Sequence, residues 1–179
     1  MSMTAKAHDV YIACSERPLA EAKGLAERLR EAGYAVWAWW EEHPKSFEPL
    51  LKAYRSYDPE HPFAAKIHGQ LMIGKMECCL AILAARCVVL IEPSGNDSHG
   101  AAGFASGRGV PVAVLDVGHI GEIRLGLMSF DWPVARDLDG ILSWVHLYAR
   151  EIPARQAGLG TGEALAVLGQ GAGRREIRG

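Results

Sequence analysis

The sequence has no large excess of charge of either sign and no long apolar run. Nineteen Lys and Arg residues against 21 Asp and Glu residues give a net charge of −2, which argues against electrostatic binding of nucleic acid. No stretch approaches the roughly 20 apolar residues that a membrane-spanning helix needs. The first residues also lack the charged-then-apolar pattern of a signal peptide. We therefore expect a cytoplasmic protein with neither a nucleic-acid nor a membrane partner.

Cysteine is scarce, and its spacing argues against a metal site. The intervals between the four cysteines match no zinc-binding pattern; the residues are Cys14, Cys78, Cys79 and Cys87. His61 and His68 also lack partners at metal-ligand spacing. We therefore expect reduced, structural thiols, as is usual in the cytosol, and neither a metal nor another cofactor.

Residues 86–118 carry the clearest structural signal in the chain. Residues 87–91 form an unbroken apolar run, which is typical of a buried strand. Turn-forming residues follow at 92–98, then a small-residue helix pattern at 99–106 and a second buried strand at 110–115. Together they form one βαβ unit with a right-handed crossover. Because ligands bind beyond the carboxyl ends of such strands, residues 92–103 are the default site.

The rest of the chain alternates between strand and helix patterns. Strands are predicted at residues 9–14, 34–40 and 132–136, and helices at 19–32, 63–85 and 138–152. We therefore predict an α/β fold, a doubly wound, flavodoxin- or Rossmann-like parallel sheet of five strands in the order 2-1-3-4-5, flanked by helices. The domain covers residues 9–152, between a flexible N-terminus (1–8) and a Gly-rich C-terminal arm (153–179).

In that strand order the loops at residues 15–17 and 92–103 face each other across one crevice. Asp97 and Ser98 can hold a ribose hydroxyl or a phosphate there, or they form a turn that caps the next helix. Ser98, His99 and Gly100 lie where backbone N–H groups and the helix dipole favour a phosphate. A plain surface role for His99 is equally open.

Five further residues complete the predicted substrate-binding set, and two of them have a structural alternative. They are Tyr11, Ser15, Glu16, Trp39 and Glu92. Tyr11 can equally be a core residue of the first strand. Trp39 can stack on a base or pack in the core. Ser15, Glu16 and Glu92 lie in the two loops that face the crevice.

Several segments together resemble the nucleoside 2-deoxyribosyltransferase superfamily over roughly residues 9–150. They are VYIAC at 10–14, LAERLREAGYAVW at 25–37, CVVLIEPSGNDSHGAAGFASGRGVPVAVL at 87–115 and EIRLGLM at 122–128. The resemblance implies cleavage of the N-glycosidic bond of a nucleoside or nucleotide. A glutamate nucleophile would attack the anomeric carbon and form a glycosyl-enzyme intermediate. It also implies a homo-oligomer, a dimer or larger.

The chain departs from this pattern at the nucleophile. The glycine-aromatic-alanine run at residues 103–107 aligns the family's glutamate with Ala101, which carries no nucleophilic group. Three explanations are open. The chain is a natural member without catalysis, it carries an engineered Glu→Ala substitution, or its nucleophile comes from elsewhere. Glu92, Asp97 and Glu16 are the nearest carboxylates for the third.

Two other classes of function compete with an N-glycosidase or deoxyribosyltransferase homologue. A non-enzymatic nucleotide-binding or interaction module is favoured by Ala101 and by the Gly-rich arm. A TIR-like NAD glycohydrolase is suggested by residues 9–37, which also resemble the opening strand, helix and strand of that fold. The small-residue run after Asp97 fits the deoxyribosyltransferase group better.

Overall fold

One parallel sheet organises the described part of the chain. The computed structural model describes residues 7–42, 64–118 and 131–152, with only the backbone for 64–71. Within these ranges five strands follow the order β2-β1-β3-β4-β5, and all of them run parallel. They are β1 (His8–Ala13), β2 (Val36–Ala38), β3 (Ala85–Glu92), β4 (Val112–Asp116) and β5 (Val134–Ala135). The predicted doubly wound fold and its strand order are confirmed.

Helices cover both faces of the sheet. They are α1 (Leu19–Glu31), α2 (Trp39–Glu42), α3 (Ala64–Ala84), α4 (Asn96–Gly107) and α5 (Leu138–His146), the last continued by a π-helical segment, Leu147–Glu151. Helices α1 and α5 pack on one face, and α3 and α4 pack on the other. None of the helices in the described ranges is long and apolar enough to cross a membrane.

The central strand β3 is buried on both faces, which explains its unbroken apolar sequence. Cys87, Val89 and Ile91 point into the core under α1 and α5, which we call the α1 face. Val88 and Leu90 point to the opposite side, which we call the α4 face. Because side chains alternate along a strand, Glu92 also belongs to the α4 face. Each fully buried Leu, Ile or Val contributes roughly 1.5–3 kcal/mol relative to an exposed one.

The second strand is shorter than predicted. A strand is expected at residues 34–40, but β2 ends at Ala38 and Trp39 begins the helical turn α2. The indole N–H of Trp39 donates to the carbonyl of Cys14 at 3.1 Å, and Arg30 forms two hydrogen bonds with Glu41. These contacts hold the chain against β1 and α1. Trp39 and Trp40 therefore pack around the end of β2 instead of extending the strand.

Two helix predictions need adjustment. Helix α4 begins at Asn96, so Asn96, Asp97 and Ser98 form its first turn instead of a loop. The helix predicted over residues 138–152 keeps α-helical geometry only to His146, after which the π-helical segment follows. Residues 1–6, the segment 122–128 and the arm 153–179 lie outside the described residues.

Candidate functional site

Polar residues collect where the three central strands end. Glu92, the last residue of β3, is a register partner of Asp116, the last residue of β4. Both are buried, with 6% and 7% of their surface exposed. On the other side of Glu92, the Ser15 hydroxyl beyond β1 donates to the carbonyl of Pro93 at 3.3 Å. The loops at residues 15–17 and 92–103 therefore meet between β1 and β3, where the strand order reverses, as predicted.

Glu92 and His99 form a largely buried acid–imidazole pair. Glu92 Oε1 lies 2.5 Å from His99 Nε2, and His99 Nδ1 lies 2.8 Å from the carbonyl oxygen of Gly95. A carbonyl only accepts, so Nδ1 carries a hydrogen. The contact between Nε2 and Oε1 then requires a hydrogen on one of these two atoms. Such a pair can pass a proton to a ligand when one of these hydrogen bonds is exchanged for one to the ligand.

The second oxygen of Glu92 is also engaged, because Oε2 accepts a hydrogen bond from the backbone N–H of Ser94. Both oxygens of this carboxylate therefore have donors, and its side chain is only 8% exposed. A nucleophilic carboxylate must present a free oxygen to the anomeric carbon. The geometry of Glu92 suits proton transfer and hydrogen bonding better than nucleophilic attack.

A hydroxyl without a partner lies next to this pair. Ser94 is 4% exposed, and within the described ranges its Oγ has no hydrogen-bond partner. Helix α4 begins two residues later, and its N-cap, Gly95, has no side chain to cap the first N–H groups. Ser98 in the first turn is buried as well. The start of α4 thus combines a buried hydroxyl with helix N–H groups, a combination that suits an anion.

Ala101 lies one turn further along α4, on the side that faces the sheet. It is partly buried and packs against the core of the α4 face, which contains Tyr11 and Trp37. Tyr11 is buried and stacks on Trp37, with ring centroids 4.6 Å apart. Burial, followed by the neighbouring Cys78, raises the pKa of the Tyr11 hydroxyl above its ordinary value. Tyr11 is therefore a neutral phenol and part of the core.

Three other predicted residues lie away from the Glu92–His99 pair or at its margin. The Asp97 side chain is 91% exposed and pairs with Lys75 of α3 at 3.6 Å. Glu16 and Gly100 are also exposed. The structure therefore groups four of the predicted residues, with Asp97 on the solvent side of the same turn. The four are Ser15, Glu92, Ser98 and His99.

Trp39 is partly buried and lies near the end of β1, where its indole N–H bonds to the carbonyl of Cys14. It contacts the cores on both faces of the sheet. Of the two roles open to it, packing is the one that these contacts support.

Sequence reasoning missed two residues of this group. Ser94 is predicted only as a turn former, and Asp116 is absent from the predicted set. Asp116 follows the buried run VAVL. An acidic residue at the end of a strand next to β3 is the sequence signal that could have identified it. The role of Ser94 depends on its depth of burial, which spacing does not reveal.

The buried cysteines offer no reactive thiolate at neutral pH. None of the four cysteines, all of which lie in the described ranges, forms a disulfide, and Cys14 and Cys87 are buried. Burial raises the pKa of Cys14 to about 11, partly offset by the hydrogen bond from Trp39. Burial also raises the pKa of Cys87 to about 12. Among the described residues, no group of three or more His, Cys, Asp or Glu side chains is placed to hold a metal ion.

Comparison with known proteins adds no family assignment. No protein-family model matches the chain, and a search of curated proteins finds no significant match. Function is therefore inferred from the geometry at the ends of β1, β3 and β4.

Proposed function

We propose that this chain binds a nucleoside or nucleotide at the carboxyl end of β3, as a homologue of enzymes that cleave N-glycosidic bonds. One observation carries the proposal. The Glu92–His99 pair adjoins the unpartnered hydroxyl of Ser94, at the point where the strand order reverses. Open α/β sheets bind their ligands at this point.

The start of α4 would take the phosphate of a nucleotide. The Ser94 hydroxyl can donate to a phosphate oxygen, and the first N–H groups of α4 carry the partial positive charge of the helix dipole. Ser98 and His99 lie in the same turn. A ligand oxygen at this point would supply the hydrogen-bond partner that the buried Ser94 hydroxyl lacks among the described residues.

The shared proton of Glu92 and His99 suits the departure of a base. When the bond between the anomeric carbon and the base nitrogen breaks, its electron pair goes to that nitrogen, which then needs a proton. His99 can donate it once its Nε2–H turns from Glu92 toward the ligand, and the carboxylate of Glu92 stabilises the positive charge that develops at the anomeric carbon. Water or another base then adds to the anomeric carbon, and His99 takes up the proton that an attacking water loses. Ala101 supplies no nucleophile for a covalent intermediate, so we expect the chain to bind its ligand and turn it over slowly.

A binding module without catalysis is the second candidate. It is favoured because, of the three candidate carboxylates, one has a donor at both oxygens and the other two lie at the surface. Both oxygens of Glu92 accept hydrogen bonds, Asp97 pairs with Lys75 at the surface, and Glu16 is exposed. The resemblance also leads us to propose a cytoplasmic homo-oligomer, for either candidate.

Calorimetric titration of the full chain tests the proposal. Nucleosides, their 5′-monophosphates and NAD are titrated separately, and we expect a monophosphate to bind more tightly than its nucleoside. Ser94→Ala should weaken the monophosphate about 10-fold, the scale of one hydrogen bond to a charged group. It should leave nucleoside affinity and thermal stability unchanged, because the Ser94 hydroxyl has no partner among the described residues.

Ser143→Ala is the matched control, since Ser143 is an exposed serine on α5 whose hydroxyl bonds to the carbonyl of Asp139. This variant should bind every ligand as the wild type does. If no nucleoside, monophosphate or NAD binds the wild type, the proposal is wrong. If NAD binds and the monophosphates do not, the TIR-like function takes its place.

A further inference from the structure

An aromatic cleft lies at the opposite edge of the sheet from the candidate site. Pro111 and Pro133, which directly precede β4 and β5, line it at the amino ends of these strands. Its volume is about 310 Å³, at the lower end of the roughly 300–1,000 Å³ that small-molecule sites occupy. Its described lining shares no residue with the group around Glu92 and His99. The cleft is therefore a cavity separate from the candidate site.

Three aromatic rings line the cleft, and they come from both faces of the sheet. Trp132 packs against the core of the α4 face, while Trp144 and Tyr148 pack against the core of the α1 face. The indole N–H of Trp132 donates to the Ser106 hydroxyl at 3.2 Å, which holds that ring in place. The ring centroids of Trp144 and Tyr148 lie 4.6 Å apart, and the rings are tilted by 32°. Because the faces of aromatic rings are negative, such a lining favours a cation.

The charge in the cleft has the same sign as the ring faces. Among the described lining residues only Asp131 carries a charge, and it is acidic and exposed. Two arginines close in sequence to the lining are engaged elsewhere. The guanidinium of Arg108 lies over the Phe104 ring, 5.4 Å from its centre. Arg150 donates to two carbonyls just beyond the end of α1. A positively charged ligand would meet the Asp131 carboxylate without competition from these two cations.

The rest of the lining indicates an apolar surface on that cation. Two side-chain hydroxyls are present, those of Ser106 and Tyr148, and Ser106 already accepts from Trp132. The other lining residues have no polar side chain; they are Gly109, Val110, Pro111, Val112 and Pro133. A sugar or a phosphate would leave most of its polar groups unpaired here. A quaternary ammonium group combines a positive charge with an apolar surface and has no hydrogen to donate.

We propose that this cleft binds a small organic cation with a quaternary ammonium head group. The rings of Trp132, Trp144 and Tyr148 and the carboxylate of Asp131 hold it. Clustered aromatic rings are the usual recognition device for such cations. Tyr148 also belongs to the π-helical segment, an irregularity that is frequent at functional sites. The proposal does not depend on nucleotide binding at the carboxyl end of β3, and either can fail alone.

Titration of the full chain with choline at constant ionic strength tests the proposal. The control ligand is its neutral isostere, an alcohol in which a tert-butyl group replaces the trimethylammonium group. We expect choline to bind at least about 10-fold more tightly, because only the cation gains from the ring faces and from Asp131. Nuclear magnetic resonance of the five tryptophan indole N–H groups locates the binding. The signals of Trp132 and Trp144 should shift, and that of Trp39 should not.

Asp131→Asn separates the effect of charge from that of shape. The φ of Asp131 is 53°, and asparagine, like aspartate, adopts this left-handed conformation more readily than most residues. Loss of the charge should weaken choline binding about 3-fold, the scale of one exposed ion pair. The affinity for the neutral isostere should not change. Glu27→Gln removes an exposed carboxylate from α1 and should leave both affinities unchanged.

Tyr148→Leu tests the contribution of a ring. It keeps an apolar side chain without a negative face, so we expect choline binding to weaken about 5-fold. Tyr148→Phe keeps the ring and should bind choline as the wild type does. If Tyr148→Leu fails to fold, Trp132→Leu takes its place in the titration.

Three outcomes would overturn the proposal. The first is a wild-type chain that does not bind choline, and the second is one that binds it no more tightly than the neutral isostere. The third is choline binding that shifts neither the Trp132 nor the Trp144 indole signal.

Discussion

Replacing Ala101 with glutamate is expected to raise the rate of base release from the bound nucleoside or nucleotide by on the order of 100-fold or more. One positioned catalytic group commonly contributes this much. Ala101 is partly buried on the sheet-facing side of α4, against the core that contains Tyr11. The measurement is chromatography of free base after incubation with nucleosides, monophosphates and NAD.

Two control variants separate the carboxylate from other effects. Gly100→Glu adds the same group one residue earlier, at an exposed position where an added Cβ would meet no atom within 4 Å. Ala101→Gln adds nearly the same volume without a nucleophile. We expect neither to release base faster than the wild type. If Ala101→Glu folds and binds ligand but also stays inactive, the chain is better described as a binding module.

Replacing Glu92 with alanine is expected to lower the free energy of unfolding by about 3 kcal/mol, the lower end for breaking a buried pair. The change leaves His99 Nε2 and the backbone N–H of Ser94 without their partner in a site where Glu92 is 8% exposed. Desolvation of those groups is then no longer offset. Denaturant unfolding followed by circular dichroism measures the loss.

Glu92→Gln is the matched variant, because an amide preserves the shape and can still satisfy both neighbours. Its oxygen can accept from the Ser94 N–H while its NH₂ donates to a neutral His99, so we expect a loss of only about 1 kcal/mol. The double variant Glu92→Ala with His99→Ala should lower the free energy of unfolding by less than the sum of the two single losses. In the double variant neither residue remains buried without its partner. A loss below about 1 kcal/mol for Glu92→Ala alone would show that the pair contributes little.

The sheet could be predicted because its strands are buried on both faces. The runs at residues 9–14, 87–91 and 110–115 are mostly apolar, and helical patterns separate them, so parallel pairing and the strand order follow from right-handed crossovers. The structure has β1, β3 and β4 at these places. Their carboxyl ends therefore also determine where Ser15 meets Pro93, next to Glu92.

The contacts within the site could not be predicted, because they depend on where α4 begins. Asn96, Asp97 and Ser98 favour turns and helix starts equally, and a sequence does not separate the two. Starting the helix at Asn96 turns His99 toward Glu92 and Asp97 toward Lys75. A start three residues later would present a different set of side chains to the end of β3.

Which side of helix α3 meets the sheet could not be predicted, for a related reason. Apolar residues at helical spacing, including Leu80 and Leu83, normally indicate a buried helix face. In the structure the small residues Gly74, Cys78 and Ala81 face the sheet instead. Periodicity identifies the apolar positions of the helix but not the side that packs against the sheet.

The most direct test of the central claim is nuclear magnetic resonance of the ¹⁵N-labelled chain during titration with a nucleoside monophosphate. We predict that the largest amide shifts fall on Ser94 to His99, with smaller shifts at Ser15 and Asp116, because these residues surround the proposed site. Shifts confined to another part of the described chain, such as the cleft between Trp132 and Tyr148, would contradict the account. The absence of any shift at saturating nucleotide would contradict it equally.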